Sequence, residues 1–286
     1  MNIPAYKEKI VVRGGGDLAT GVVQKFFRSG FRVVILETPA PTAIRRSVAL
    51  CEAVYLANAE HSAPAGSGGF VQVEDLRCRK AAGPAELESC WQKGIVPLLV
   101  DPSGESLRAI QPAAVIDAIL AKRNLGTNRS MAYITIALGP GFCAGKDVDA
   151  VIETMRGHDL GRLILEGYAK PNTGTPGNIE GKSTERVLHA AVSGTIVHKK
   201  HIGDLVECGE TLFTIGGTEA SAPFSGLLRG LIREGIYVSQ GMKVADIDPR
   251  TGVDWRTISD KARCLGGAAL EAYFYLQKRK GDTDGT

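Results

Sequence analysis

"VVRGGGDLATG", Val11 to Gly21, is the stretch on which the fold turns. Three consecutive glycines separate an apolar run from an Ala/Val-rich segment. Glycine loses the most backbone freedom on folding, so a turn that keeps three of them has a geometric use for them. Ile10–Arg13 reads as a buried strand, Leu18–Ser29 as a helix closed by Gly30, and Phe31–Leu36 as a second strand ending on Glu37. Within this unit Gly14, Gly15, Gly16, Asp17 and Ala19 can be read as G-x-G-x-x-A on Gly14, Gly16 and Ala19. The first glycine permits the turn, the second lets a phosphate reach the backbone, and the small third residue lets helix pack on strand. A pyrophosphate then sits at the helix N-terminus, and Glu37 lies where a carboxylate accepts hydrogen bonds from ribose hydroxyls. The same residues also fit a plain tight turn in which Asp17 caps the helix and Glu37 faces water.

Outward from this motif, short apolar runs alternate with segments of mixed polarity as far as Lys122, the signature of βαβ units and a parallel sheet. Ile95–Val100 and Val115–Leu120 read as further strands, and Pro84–Lys93 as a helix opening on proline and stopping at Gly94. A polar break, "NLGTNRS", begins at Asn124. Beyond it Tyr133–Leu138 reads as a strand, "GPGFCAGKDVD" as a glycine-rich turn, Val148–Met155 as a helix and Leu160–Leu165 as a strand. Lys170–Lys182 is loop.

The third region repeats. "AAVSGTIVHKKHIGDLVECGETLFTIG" (190–216) aligns without a gap on "APFSGLLRGLIREGIYVSQGMKVADID" (222–248), superposing Ser193-Gly194 on Ser225-Gly226, Gly203 on Gly235, Val206 on Val238 and Ile215 on Ile247. Two copies of a unit too small to bury its own face pair into one small β-barrel. The halves resemble those of a biotinyl/lipoyl-type barrel-sandwich hybrid. Carrier domains of that type present a lysine at the hairpin between halves, but no lysine lies between Lys200 and Lys243. No covalent biotin or lipoate is expected. The resulting expectation is an α/β protein in four parts: a Rossmann-like parallel-sheet nucleotide-binding domain (1–123), an α/β middle segment with a glycine-rich anion loop (124–188), a barrel-sandwich-hybrid-like module (189–250), and a C-terminal helix with a polar tail (251–286).

Composition bounds the partners. Of 286 residues, 34 are Lys or Arg and 31 Asp or Glu, mixed in sign along the chain, so no face is marked for nucleic acid or a membrane. The start, Met1–Lys9, does not read as a signal peptide, and no apolar run reaches the length of a spanning helix. The six cysteines form no Cys-x-x-Cys pair, which fits reduced thiols in a soluble cytoplasmic protein without a metal site.

In the second glycine-rich turn, Gly139, Gly141 and Gly145 free backbone amides and Lys146 can pair with an anion. Downstream, Glu153, Arg156, His158 and Arg162 lie within ten residues; arginine forks suit phosphate or carboxylate, and histidine moves protons near neutral pH. Cys143, placed ahead of the expected helix, is a candidate to accept sulfur or selenium, with an inert thiol as the alternative. His158 and Cys143 are the candidates for catalysis, while Arg156 joins the two glycine loops as a candidate for cofactor binding.

"VVRGGGDLATG", "GPGFCAGKDVDAVIETMRGHDLGR", "PNTGTPG" and "ERVLHAAVSGTI" together resemble the YqeB family, accessory proteins encoded with selenium-dependent molybdenum hydroxylases. The resemblance implies a factor that handles or inserts the selenium-containing molybdopterin cytosine dinucleotide of such a hydroxylase. Its partner is then the apoenzyme, with the pterin nucleotide as ligand and a homo-oligomer as a further possibility. The alternative is an NAD(P)-dependent oxidoreductase acting on a small selenium or sulfur species.

Overall fold

A computed structural model describes residues 6–56, 69–175 and 177–284. Met1–Ala5, at the start of the leader reading, and Pro176, within the Lys170–Lys182 loop, lie outside the described residues. The chain divides into two compact units, one of residues 1–41, 49–172 and 258–286, the other of residues 42–48 and 173–257.

The first unit is built on strands Lys9–Arg13 (β1), Arg32–Glu37 (β2), Val71–Val73 (β3), Leu76–Lys80 (β4), Val96–Val100 (β5), Ala114–Asp117 (β6), Ile134–Leu138 (β7), Cys143–Ala144 (β8), Ala150–Ile152 (β9), Leu163–Ile164 (β10) and Gly167–Tyr168 (β11). Its helices are Asp17–Arg28 (α1), Ala53–Leu56 (α2), Leu87–Gln92 (α3), Leu107–Ile110 (α4) and Asp260–Asp284 (α5). Nine strands form one sheet in the order β10-β9-β7-β6-β1-β2-β5-β4-β3, and β8 pairs with β11 separately. The central pairings from β9 to β4 are parallel, whereas β10 and β3 join antiparallel at the two edges. Ile10, Val11, Val12, Val33, Val34 and Ile35 are all fully buried, the unbroken apolar runs of strands covered on both faces.

This arrangement corrects the expected fold class. A Rossmann-like parallel sheet needs a helix in each crossover, but among the described residues only α1 and α5 exceed six residues, and β6 connects to β7 through a single 3₁₀ turn at Arg129–Met131. The sheet is mixed and takes in strands on both sides of the polar break at Asn124. The helix expected over Val148–Met155 is the buried strand β9. Ala150, Val151 and Ile152 are fully buried, and a short apolar run with β-branched residues fits a central strand as well as a helix by periodicity alone.

Helix α5 packs along α1 at backbone distance. A Cβ on Gly266 would lie 2.3 Å from the Gly21 carbonyl oxygen, and one on Gly21 would lie 2.2 Å from the Ala262 carbonyl oxygen. Further along, Phe26 meets Tyr273 edge to face at 5.8 Å. Residue numbers rise together on the two helices, so they run parallel and their N-termini lie at the same end.

The second unit holds strands Val187–His189 (β12), Gly194–His198 (β13), Leu205–Val206 (β14), Thr211–Ile215 (β15), Thr218–Ser221 (β16), Gly226–Leu231 (β17), Tyr237–Val238 (β18) and Lys243–Asp248 (β19). They form two four-stranded sheets, β12-β19-β17-β14 and β16-β15-β13-β18, with all pairings antiparallel. The single pseudo-symmetric barrel is therefore replaced by two open sheets. Each takes its two long repeat strands from one copy and its short one from the other: β14 of the first copy joins β17 and β19 of the second, and β18 of the second joins β13 and β15 of the first. The exchange sets Ile196, Phe213 and Ile215 against Leu228, Val244 and Ile247 in one core. Residues 42–48 join this unit through the Leu231 amide, which donates to the Ile44 carbonyl at 2.9 Å.

At the rim of that core lies a charged network. Asp248, fully buried, accepts from Arg229 at 2.7 Å and from Arg250 at 2.8 and 2.9 Å, and Asp246 accepts from Arg229 and the buried Arg186. Although burial opposes it, hydrogen bonding to Arg250 and the charges of Arg229 and Arg250 hold the Asp248 carboxyl below the usual carboxylate range.

Candidate functional site

The carboxyl ends of β1, β6, β7 and β9 lie along one edge of the first unit's sheet. From β1 the chain runs outward through β2, β4 and β5, then returns to the other side of β1 at β6 and continues to β7 and β9. The order reverses between β1 and β6, the place where open α/β sheets form a crevice for ligands.

The glycine turn stands at this crevice. Gly14 has φ +91, which favours glycine, and a Cβ there would meet the Ala118 carbonyl oxygen at 3.0 Å. Gly15 is held on both sides: its carbonyl accepts from the Cys51 amide at 2.8 Å, and its amide donates to Glu37 Oε2 at 2.7 Å. Glu37 also accepts from the Thr38 amide at 2.7 Å. The carboxylate read as a ribose ligand thus turns back onto the turn itself. Burial pushes its pKa above the ordinary value, against the two amide hydrogen bonds. Gly16 differs from its neighbours, since a Cβ there would meet nothing within 4 Å. It precedes α1, whose N-terminus has no side-chain cap at that position; Asp17 lies in the first turn and Ala19 is fully buried.

Behind the crevice, Arg13, Thr127 and Asp117 form a buried chain. The Arg13 guanidinium donates to Thr127 Oγ1 and to the Pro102 carbonyl at 2.7 Å, and Thr127 donates to Asp117 at 2.5 Å. Burial raises the Asp117 pKa, opposed by Thr127, the Ile119 amide and Arg13. This chain ties the ends of β1 and β6 to the loop that follows β6. In that loop Leu120 (φ +59) and Lys122 (φ +61) occupy the left-handed region without being glycine, a local cost of order 1–3 kcal/mol each that surrounding structure must hold. Lys122 donates to Asn172 at 2.8 Å.

The second glycine turn is explained largely by its own packing. The Gly139 amide donates to Ile152 and the Gly145 amide to Val148, both at 2.8 Å, and a Cβ on Gly141 would lie 2.7 Å from the Arg123 backbone. Lys146 is exposed at the tip. With β9 in place of a helix, Cys143 stands on the short β8/β11 ribbon. Its amide donates to Asp147 at 2.8 Å, and its sulfur lies beside the Tyr168 hydroxyl, whose pKa it raises through a side-chain hydrogen bond. Glu153 is buried and accepts from the Met155 amide at 2.7 Å and the Lys170 amide at 2.8 Å. His158 is exposed, beside an open groove of about 380 Å³ lined by Glu153, Asp159, Arg162, Tyr168 and Lys170. Arg156 forks onto Asp260, the first residue of α5, at 2.8 and 2.9 Å.

That fork brings in residues the sequence reading passed over. Lys261 follows Asp260, and Ser259 Oγ accepts from the Ala262 amide at 3.2 Å, an N-cap that the spelling Ser-Asp-Lys-Ala could have signalled. Lys261 is half-buried and, among the described residues, forms no hydrogen bond or ion pair. Burial holds its ammonium below the ordinary lysine range, Arg156 and Lys122 push it the same way, and Asp17 and Glu153 oppose them. Arg156 thus reaches the N-terminus of α5, where Lys261 follows its partner Asp260. Among the described residues no group of three or more His, Cys, Asp or Glu side chains is placed to hold a metal ion, and no helix is long and apolar enough to cross a membrane.

No protein-family model matches the chain. It is similar to the uncharacterized protein YqeB of Escherichia coli (strain K12), 44% identical over 274 residues, which cover 96% of this chain and 48% of that protein. This likeness supports the YqeB resemblance carried by the motifs, and the chain spans about half the length of that curated relative. Among solved structures, a likeness of TM-score 0.25 links 85% of the chain to 86% of the product-bound ectoine utilization protein EutE (DoeB) from Ruegeria pomeroyi, at 11% identity. A second, of TM-score 0.24, links 85% of the chain to 85% of a succinylglutamate desuccinylase from Silicibacter sp. TM1040, also at 11% identity. These likenesses are too weak to indicate a shared fold.

Proposed function

We propose that this chain is an accessory factor for a selenium-dependent molybdenum hydroxylase, holding or delivering the molybdopterin cytosine dinucleotide of that enzyme. The observation that carries the reading is the opening over Gly16, at an α1 N-terminus without a side-chain cap, where the strand order reverses between β1 and β6. Helix N-termini accept phosphate through backbone amides and the helix dipole. A dinucleotide's pyrophosphate fits Gly16 and the α1 N-terminus, with Lys122 and Lys261 as nearby cations. It does not use the Gly15 amide, which Glu37 already occupies. When bound, the cofactor supplies the pterin and metal chemistry, and this chain's residues hold the phosphates and shield them from solvent. The 44% identity to the uncharacterized protein YqeB supports the family resemblance from which this reading starts.

The test is the hydroxylase from a host strain lacking the chain. Its molybdenum and selenium content and its activity should fall severalfold against wild type. A fully loaded, fully active hydroxylase from the deletion strain refutes the role.

A further inference from the structure

We infer that residues 118–123, which follow β6, form a strap that couples the two glycine turns, so that a displacement at either turn is transmitted to the other. The strap lies against both. A Cβ on Gly14 would lie 3.0 Å from the Ala118 carbonyl oxygen and 3.0 Å from the Ile119 Cα, and a Cβ on Gly141 would lie 2.7 Å from the Arg123 nitrogen and Cα. Glycine at both positions is what allows backbone to meet backbone there, and one run of six residues carries both contacts.

The strap has little slack. Its ends are pinned: the Ala118 amide donates to the Arg13 carbonyl at 2.9 Å, Asp117 accepts from Thr127 Oγ1 at 2.5 Å and from the Ile119 amide at 3.1 Å, and Asn124 Nδ2 donates to the Thr127 carbonyl at 2.8 Å. Between the ends, Leu120 and Lys122 hold φ of +59 and +61, and neither is a residue type that favours the left-handed region. Two such residues in three persist only where the surrounding contacts over-determine them. The Lys122 ammonium is tied in turn to Asn172 at 2.8 Å.

A pinned and strained segment has no slack with which to absorb a push. Moving one contact either drives Leu120 or Lys122 out of the left-handed region or carries the other contact with it, and close-packed backbone passes a displacement on in preference to compressing. Coupling of this kind is reciprocal, so whatever moves one turn alters the other. It requires no ligand at either turn.

The experiment is residue-resolved hydrogen exchange on the full chain by NMR, with the amide of the fully buried Ile35 as the reference for global unfolding. Gly141→Ala should speed exchange at the Gly14 and Ala118 amides about fivefold or more relative to that reference, the lower end of ordinary couplings between sites. Gly145→Ala is the control: Gly145 has φ +83 in the same turn, but a Cβ there would lie at ordinary contact distance, 3.4 Å from the Leu165 carbonyl oxygen, so the Gly14 and Ala118 amides should keep their wild-type rates. In reverse, Gly14→Ala should speed exchange at the Gly139 amide, which donates to the Ile152 carbonyl. Where Gly141→Ala does not fold, Leu120→Gly combined with Lys122→Gly removes the left-handed strain and should quicken exchange at Gly14 and Gly139 together. Unchanged exchange at Gly14 in Gly141→Ala, equal quickening in Gly145→Ala, or quickening at one turn alone in the double glycine variant overturns the inference. No step uses a ligand, so the result is independent of the accessory role.

Discussion

Alanine at position 266 and alanine at position 267 should move stability in opposite directions. On α5, a Cβ at Gly266 would lie 2.3 Å from the Gly21 carbonyl oxygen, whereas one at Gly267 would meet nothing within 4 Å. Ordinary contact begins near 3.4 Å, so Gly266→Ala requires the helices to part by about 1 Å, and the partner atom is backbone that no rotamer change can move. A gap of about 0.5–1 Å already forfeits a quarter to a half of the dispersion attraction across a contact. Overpacking of this kind costs about 1–3 kcal/mol, while replacing a helical glycine by alanine returns about 1 kcal/mol. Gly266→Ala should therefore lose up to about 2 kcal/mol. Gly267→Ala, with the propensity gain alone, should become about 0.5–1 kcal/mol more stable. Urea unfolding followed by circular dichroism measures both. Acetylation of Lys261 should also quicken in Gly266→Ala alone, since parting the helices uncovers the residue beside the contact. Stabilisation of both variants by similar amounts would refute the backbone-to-backbone packing of α1 and α5.

Three further outcomes follow from the same structure. Glu37→Gln turns an amide NH2 toward one of two backbone donors and should cost roughly 1–3 kcal/mol in urea unfolding at neutral pH. Because burial raises the folded pKa of Glu37, the native state holds its proton to higher pH than the unfolded chain; wild-type stability relative to Glu37→Gln should thus rise as pH is lowered through that window, and a flat difference would contradict it. Arg156→Ala removes an exposed ion pair, so stability should change by less than about 1 kcal/mol. Loss of that neighbouring positive charge should shift the pH profile of Lys261 acetylation upward, read by peptide mass spectrometry. Asp248→Asn leaves Arg229 beside a neutral partner and should cost about 3–5 kcal/mol at neutral pH. The depressed Asp248 pKa contributes stability that is present above the ordinary carboxylate range and lost in acid, so urea unfolding of the variant should have a shallower acid limb.

Much of the local structure was legible in the residues themselves. The apolar runs at β1, β2 and β5, the glycine after α1 and the offset of 32 residues between repeats all carry period or turn chemistry that survives without tertiary context. Val148–Met155 did not, because "DAVIE" satisfies a helix opening with acidic residues and a buried strand equally well until neighbouring strands are in place. The expectation paired the two copies into one barrel, but which strands cross between them, β14 and β18, is decided by burial between copies, which a pairwise alignment cannot express. At the site, the glycine turn was readable and the use of Glu37 to cap it was not. Lys261 lies more than two hundred residues from Gly16, and the packing of α5 on α1, with Gly21 against Ala262 and Gly266, brings them near. Glycines inside two otherwise helical segments were the one sequence signal of that approach.

The central claim, that the crevice between β1 and β6 holds the pterin nucleotide of a hydroxylase, is tested most directly by the small molecules that travel with the protein. The chain purified from its native host should release, on denaturation, a pterin and a cytidine phosphate, detected by mass spectrometry at a sizeable fraction of the protein concentration. Lys261→Met prepared the same way should release far less. NAD(P) in their place, or equal release from the Lys261→Met protein, would contradict the claim.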